Sequence, residues 1–308
     1  MCRLFAMSSA PRRTRATFWL VEAPDSLSTQ SHQDPDGTGI GGYDAAWRPE
    51  LFRWPIAAYR DREFAQQART FESATYVAHV RYATAGPLDV RNTHPFEQAG
   101  RLFAHNGVVG GLADLETELG DYRRLVQGDT DSERFFALIT KQVDAHDGDV
   151  GAGIVAGAAW AAEHLPIYCL NFVLITAGEL WALRYPATNE LHVLERAGSA
   201  RVADVGAGRT DHLSAGRTGR PGSGRTDHVG ASGGVRLHSP DLAITPAVIV
   251  ASEPMDGEPG WRMIRPGELL HVDGALAVTS RIVLPDRPAH QMTLADLEPK
   301  AATAQQAA

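Results

Sequence analysis

Met1-Cys2-Arg3-Leu4-Phe5-Ala6-Met7 opens the chain, and Cys2 is one of two cysteines in 308 residues. A small residue at position 2 is the kind after which an initiator methionine is trimmed. Loss of Met1 leaves Cys2 with a thiol and a free α-amine on one residue, a nucleophile and its base together. Only the thiolate attacks, and a thiol of pKa about 8.5 is a few per cent ionised near neutrality. An α-amine titrates near 7.7–8.0, roughly the working pH, whereas a lysine near 10.4 stays protonated. The amine can therefore take the thiol proton and hand it to a leaving amine. The apolar residues after Arg3 read as a strand. The competing explanation is a small buried side chain that happens to lie at position 2, so the rest of the chain decides.

A chain of this length can bury a sizeable core as one large domain or two small ones. Hydrophobic residues make up 44% and charged residues 21%, ordinary values for a globular protein. A net charge of −8 argues against nucleic acid or an anionic membrane as the main partner. Two cysteines make no disulfide framework and show no metal-ligand spacing, which points to a reducing compartment. Arg12-Arg13 ahead of Phe18-Trp19-Leu20-Val21 invites a twin-arginine export reading, but the apolar run is short and closed by Glu22 and Asp25. No stretch approaches the roughly 20 apolar residues of a membrane span. The expectation is a cytoplasmic protein.

Segments 2–7 and 16–21 read as strands bounded by Pro11 and Pro24, and 31–42 reads as a loop dense in Gly, Pro and Asp. That loop is no phosphate cradle, for no lysine follows its glycines. Residues 59–73 suggest a helix, 75–84 an alternating strand and 101–105 its neighbour. A helix start follows at Asp129-Thr130-Asp131-Ser132-Glu133, where Thr130 and Glu133 have capping-box spacing and Phe135, Leu138, Ile139 and Val143 supply an apolar face. A second helix is expected over 151–165. Short strands are expected over 170–177, 180–185, 191–194, 247–251, 268–272 and 276–278. Between them, residues 198–234 hold 10 of the chain's 30 glycines, no aromatic residue, and Gly-Arg-Thr-Asp-His twice. Such a segment cannot bury enough apolar area to offset its ordering entropy, so it is expected to be a disordered insertion. The repeated Asp-His could hint at metal, but polar low complexity explains it better.

Four further segments bear on Cys2. In His79-Val80-Arg81-Tyr82-Ala83-Thr84 an arginine ends an apolar strand, and a guanidinium binds a carboxylate bidentately. Asn92-Thr93-His94-Pro95-Phe96 follows. In Phe103-Ala104-His105-Asn106-Gly107 a strand runs into Asn-Gly, and Asp131 sits in the first turn of the helix just described. Each has an ordinary explanation: a surface arginine, core histidines, a hairpin turn, a helix-start acid favoured by the dipole.

Their order and type together resemble the class II glutamine amidotransferases, whose glutaminase domain carries an N-terminal cysteine nucleophile. The likeness runs from Cys2 to about Val143 and continues through Leu170-Asn171-Phe172-Val173-Leu174 and Ala251-Ser252-Glu253-Pro254-Met255-Asp256. It implies an α+β fold, the N-terminal-nucleophile hydrolase four-layer αββα sandwich with two mostly antiparallel sheets. A single type-2 amidotransferase domain would span 2–281, interrupted by 198–234 and followed by a loose extension over 282–308. Carried over by position, the resemblance makes Cys2 the nucleophile and Asn106 and Gly107 the oxyanion hole. Arg81 would clamp the α-carboxylate of the glutamyl group, Asp131 would hold its α-ammonium, and Thr84 and His94 would line the pocket. The Asp-Gly turn at 36–40 resembles the family's loop beside the nucleophile. Tyr82 and Ala85 depart from it, standing where many members have Trp and His, which leaves the substrate-side wall open.

The implied reaction is hydrolysis of the γ-carboxamide of glutamine, or of a γ-glutamyl amide, through a thioester on Cys2, with no cofactor and no metal. A separate ammonia-accepting synthase is a possible partner, because little folded chain is expected beyond the sandwich. Met-Cys-Arg and Ala-His-Asn-Gly-Val-Val also look similar to the γ-glutamyl amidohydrolases of ergothioneine biosynthesis, which supplies the alternative of a dedicated hydrolase. A degenerate sandwich serving as a binding module would be expected to lack Cys2, Asn106 or Arg81, and all three are present. A self-cleaving precursor would need a propeptide before the cysteine. Cys169 is expected to be a buried inert thiol.

Overall fold

The computed structural model describes residues 2–83, 86–197, 228–229, 236–237 and 245–306. In chain order the strands are β1 (Arg3–Ser8), β2 (Thr38–Tyr43), β3 (Pro49–Trp54), β4 (Thr75–Val80), β5 (Phe96–Gln98), β6 (Arg101–Val109), β7 (Pro166–Ile175) and β8 (Leu180–Arg184). After them come β9 (His192–Arg196), β10 (His228–Val229), β11 (Arg236–Leu237), β12 (Ala247–Ala251), β13 (Arg262–Met263), β14 (Glu268–Val272), β15 (Val278–Ile282) and β16 (His290–Gln291). The α-helices are α1 (Leu27–Gln30), α2 (Arg62–Thr70), α3 (Leu112–Leu119), α4 (Asp131–Ala145), α5 (Val150–His164) and α6 (Pro299–Gln306).

Two large sheets form, β13-β9-β12-β1-β4-β2-β3 and β15-β14-β8-β7-β6-β5, with β16 parallel beside β7, while β10 and β11 pair only with each other. All other pairings within them are antiparallel. Side-chain alternation shows how they stack. Leu4 and Ala6 of β1 pack with Leu102 and Ala104 of β6 and Val173 of β7 between the sheets. Phe5 and Met7 point the other way, into a core with Phe64 and Ala68 of α2 and with Phe18 and Trp19. Phe103 of β6 and Phe172 of β7 face Phe135 and Phe136 of α4. Helices thus cover the outer face of each sheet, giving the expected αββα sandwich. With both faces of β1 covered, its apolar run is continuous, and each fully buried Leu, Phe or Met there contributes about 1.5–3 kcal/mol.

Several local expectations give way to packing. Instead of a strand over 16–21, residues Phe18–Glu22 form one π-helical turn closed by Ala23 N–H to the Phe18 carbonyl. An apolar run buried on all sides reads the same as strand or helix. The loop expected over 31–42 ends in strand β2, whose glycines serve contact. A Cβ on Gly39 would lie 2.0 Å from the His94 carbonyl oxygen. β3 and β5 carry no clear periodicity and emerge only in the structure, and of the strand expected at 276–278 only Val278 belongs to β15, Leu276 lying in the preceding turn at φ 63°. The extension over 282–308, expected to be loose, is largely exposed over its described part but anchored at a few buried residues. Leu284 is buried, and Leu297 and Ala301 are buried against Tyr168 and Cys169. Apart from residues 228–229, the expected insertion 198–234 lies outside the described residues, as does Thr84.

Candidate active site

The mouth of the sandwich is where β1 begins and its two neighbours end. In register, Arg3 faces Val80 of β4 and Phe5 faces Ala251 of β12, so residues 81–82 and 252–253 flank the entry of β1. Cys2 sits there, half-buried. Its Sγ accepts from Tyr82 N–H at 3.3 Å and lies 3.5 Å from the Tyr82 carbonyl oxygen. Burial, reinforced by the Asp34 carboxylate, pushes the thiol up to about 11. At pH 7.5 a thiol of that pKa is ionised in on the order of one molecule in a few thousand, so a nearby base is needed.

Arg81 is 4% exposed and donates to the Pro87 carbonyl at 3.2 Å. Burial lowers its pKa, and the neighbouring Cys2, Asp36 and Asp131 oppose that fall; a guanidinium stays charged in any case. Asp36 braces the loop after Arg81, accepting from Ala83 N–H at 2.9 Å. Arg81 N–H and Asp36 N–H bond the carbonyls of Gly37 and Arg81. The Asp-Gly turn therefore holds the arginine in place.

Asn106 and Gly107 lie within β6, opposite Asn171 and Leu170 of β7, not in a hairpin turn. A Cβ on Gly107 would fall 1.9 Å from the Cys169 carbonyl oxygen, so glycine alone fits. The Asn106 amide donates to Ser252 Oγ at 3.5 Å, and the same oxygen accepts Leu4 N–H at 2.9 Å. Ser252 thus links the amide to β1 two residues beyond Cys2. Its sequence signal is the segment 251–256, where it stands beside Glu253 at the end of an apolar strand.

Asp131, the first residue of α4, ties the start of the helix to β6. Its Oδ2 accepts Val109 N–H at 2.8 Å and its Oδ1 accepts Ser132 N–H at 2.8 Å. Thr130 caps α4 by accepting Glu133 N–H, while the Glu133 carboxylate accepts from Gly128 N–H at 2.6 Å, two residues ahead of the position a capping box would use. Asn92 fastens the preceding loop through Asp129 N–H at 2.8 Å. The pocket-lining position expected for His94 is not where its ring lies. The ring is buried between His79 (4.2 Å) and Phe96 (4.5 Å), and neither nitrogen has a hydrogen-bond partner among the described residues. Burial pushes His79 down to about 3 and holds His94 well below the usual imidazole range. Both are neutral, structural histidines. His105 joins them, bonded to Ser132 Oγ at 2.9 Å and the Cys169 carbonyl at 3.2 Å.

Residues 1–205 match the family model described as glutamine amidotransferases class-II. The chain belongs to that family. Among curated relatives, the probable glutamine amidotransferase DUG3 of Saccharomyces cerevisiae is 28% identical over 179 residues, covering 49% of this chain and 50% of the relative. The chain therefore spans about half of that relative. The γ-glutamyl-hercynylcysteine sulfoxide hydrolase of Mycolicibacterium smegmatis is 25% identical over 291 residues, 91% of this chain and 99% of that one. A solved structure of glutamine phosphoribosylpyrophosphate amidotransferase from B. subtilis superposes with a TM-score of 0.60 at 16% identity, covering 92% of this chain and 50% of that one. At that identity the likeness speaks for the fold. Among the described residues no helix is long and apolar enough to cross a membrane.

Proposed function

We propose that this class II amidotransferase chain, with Met1 removed, hydrolyses the γ-carboxamide of glutamine or of a γ-glutamyl amide through a thioester on Cys2. The observation that carries the reading is the convergence on one thiol. Cys2 Sγ is hydrogen-bonded to the residue after Arg81, and Asn106 is tied through Ser252 to β1.

The α-amine of Cys2 takes the thiol proton as sulfur attacks the amide carbon. The oxyanion is met by the Asn106 amide and the Gly107 N–H, each such donor being worth about 2.7–4 kcal/mol in the transition state. Arg81 pairs with the substrate α-carboxylate and Asp131 with its α-ammonium. The tetrahedral adduct collapses, the C–N bond breaks, and the leaving amine departs with the proton of the Cys2 ammonium. Water, deprotonated by the same amine, then cleaves the thioester to give a γ-carboxylate and the free thiol.

A dedicated γ-glutamyl amide hydrolase is the second reading. It is favoured by the nearly full-length match to the γ-glutamyl-hercynylcysteine sulfoxide hydrolase, and under it no ammonia-consuming synthase is required as partner. Release of ammonia from glutamine, or of amine from γ-glutamyl amides, tests both. Wild-type chain is expected to release one or the other, and Cys2→Ala neither. Activity surviving in Cys2→Ala would overturn the reading.

A further inference from the structure

β1 has a neighbour on each side, and the two sides differ in chemistry. On the β4 side lie Arg81 and Tyr82, where the glutamyl head group is expected. On the β12 side a cleft of about 340 Å³ opens, lined in part by Arg3, Asn189, Glu190, Ser252, Glu253 and Gln305. It adjoins the reaction centre, for Arg3 follows Cys2 and Ser252 carries the Asn106 amide. Ammonia, comparable to a water with its share of roughly 30 Å³, would leave nearly all of that space unused. The cleft lies within the roughly 300–1,000 Å³ range of small-molecule sites.

α6 roofs the mouth from one side to the other. Lys300 lies 3.8 Å from Asp36 Oδ2 and 5.6 Å over the Tyr82 ring on the β4 side. Gln305 accepts from the Asn189 amide at 3.3 Å on the β12 side. Asn189 is itself fixed, its carbonyl accepting from Arg184 at 2.7 Å and from Asn171 at 3.3 Å. The walls are therefore built before any ligand arrives. Their charge is one-sided. The Arg3 guanidinium is engaged by Glu253 at 2.6 Å and lies 3.8 Å from Asp34, while the Glu190 carboxylate lies 3.7 Å from the His192 ring and, with its side chain 60% exposed, presents an acidic group on the solvent side of the cleft.

We propose that this cleft is the subsite for the amine half of a γ-glutamyl amide and that it selects amines bearing a second, positively charged group. The proposal rests on the γ-glutamyl hydrolase reading and names its leaving group. Glu190 is the residue that sets the charge preference. The α-carboxylate and α-ammonium of the glutamyl half are bound on the β4 side and are common to all substrates, so discrimination among amines falls to the β12 side.

The test uses the full chain without Met1, glutamine, and the γ-glutamyl amides of ethylamine, diaminobutane and glycine. These leaving groups are neutral, cationic and anionic. The expected order of kcat/KM is diaminobutane above ethylamine above glycine amide, with tenfold or more between the ends and the difference lying in KM. Glu190→Lys is expected to collapse the cation-to-anion ratio at least tenfold, and Glu190→Asp to keep it. Because the Glu190 side chain is largely solvent-exposed, an unchanged melting temperature would confirm that the lysine variant folds. A flat ratio in the wild type or the same ratio in Glu190→Lys would overturn the subsite while leaving the γ-glutamyl hydrolase reading standing, and hydrolysis confined to glutamine would overturn both of these while leaving glutamine hydrolysis through Cys2. Hydrolysis of none of the four would overturn all three.

Discussion

Burial and a facing carboxylate leave Cys2 a poor thiolate, with its pKa near 11, and the consequence is a pH profile. If the α-amine is the base, kcat/KM rises as that amine loses its proton and levels off above about pH 8. An unassisted thiol would keep climbing toward pH 11. Stopped assays from pH 6 to 10 separate the two, and a rise continuing past pH 9 would remove the amine from the mechanism. At the oxyanion end, Asn106→Ala should lower kcat by about 10²–10³ with a smaller change in KM. Equal losses in binding and turnover would instead assign Asn106 a structural role through Ser252.

Strand and helix chemistry explains which parts of the site could be read in advance. β1 was legible because both its faces are buried and its apolar run is unbroken, β4 because its residues alternate in strand fashion, and α4 because Thr130 caps it ahead of a periodic apolar face. β2 was not, since glycines that spell a turn in sequence are there to admit the carbonyl of His94 at Gly39. The Phe18–Glu22 turn was not, since burial on every side erases periodicity. Cys2, Arg81, Asn106 and Asp131 could be named from order and type, whereas Ser252 meets Asn106 from the other sheet and 146 residues further on, so the segment 251–256 marked its place without showing its partner. The histidines form an element-scale liability. His79, buried and neutral with a pKa of about 3 against 6.5 unfolded, leaves the folded state binding fewer protons than the unfolded one. Its contribution is complete above pH 6.5 and is lost as pH falls. At pH 5 that loss is about 2 kcal/mol, which urea titrations at pH 8 and pH 5 should show as a drop in midpoint. His79→Gln should reduce the difference, His94 and His105 keeping the remainder, and an unchanged pH dependence in that variant would contradict the assignment.

At the scale of the molecule, the segment between β9 and β12 has its ends side by side, for Arg196 pairs with Ala247 across the sheet. Replacing residues 198–244 by a short glycine-rich turn should therefore preserve both fold and hydrolysis, since loop closure varies by only about 0.6 kcal/mol per doubling of length. Circular dichroism and the ammonia assay check this, and loss of folding would mean that the segment supplies core contacts. The C-terminal segment behaves differently, because α6 bridges both sides of the mouth and buries Ala301 against the start of β7.

The account turns on a Met1-free chain whose first residue is the nucleophile. Incubation with a diazo-ketone analogue of glutamine, followed by intact-mass and peptide mapping, tests this most directly. The expected result is a chain lacking Met1 that carries one adduct on Cys2, with Cys169 unmodified. An adduct on Cys169, or equal labelling of chains that retain Met1, would contradict it.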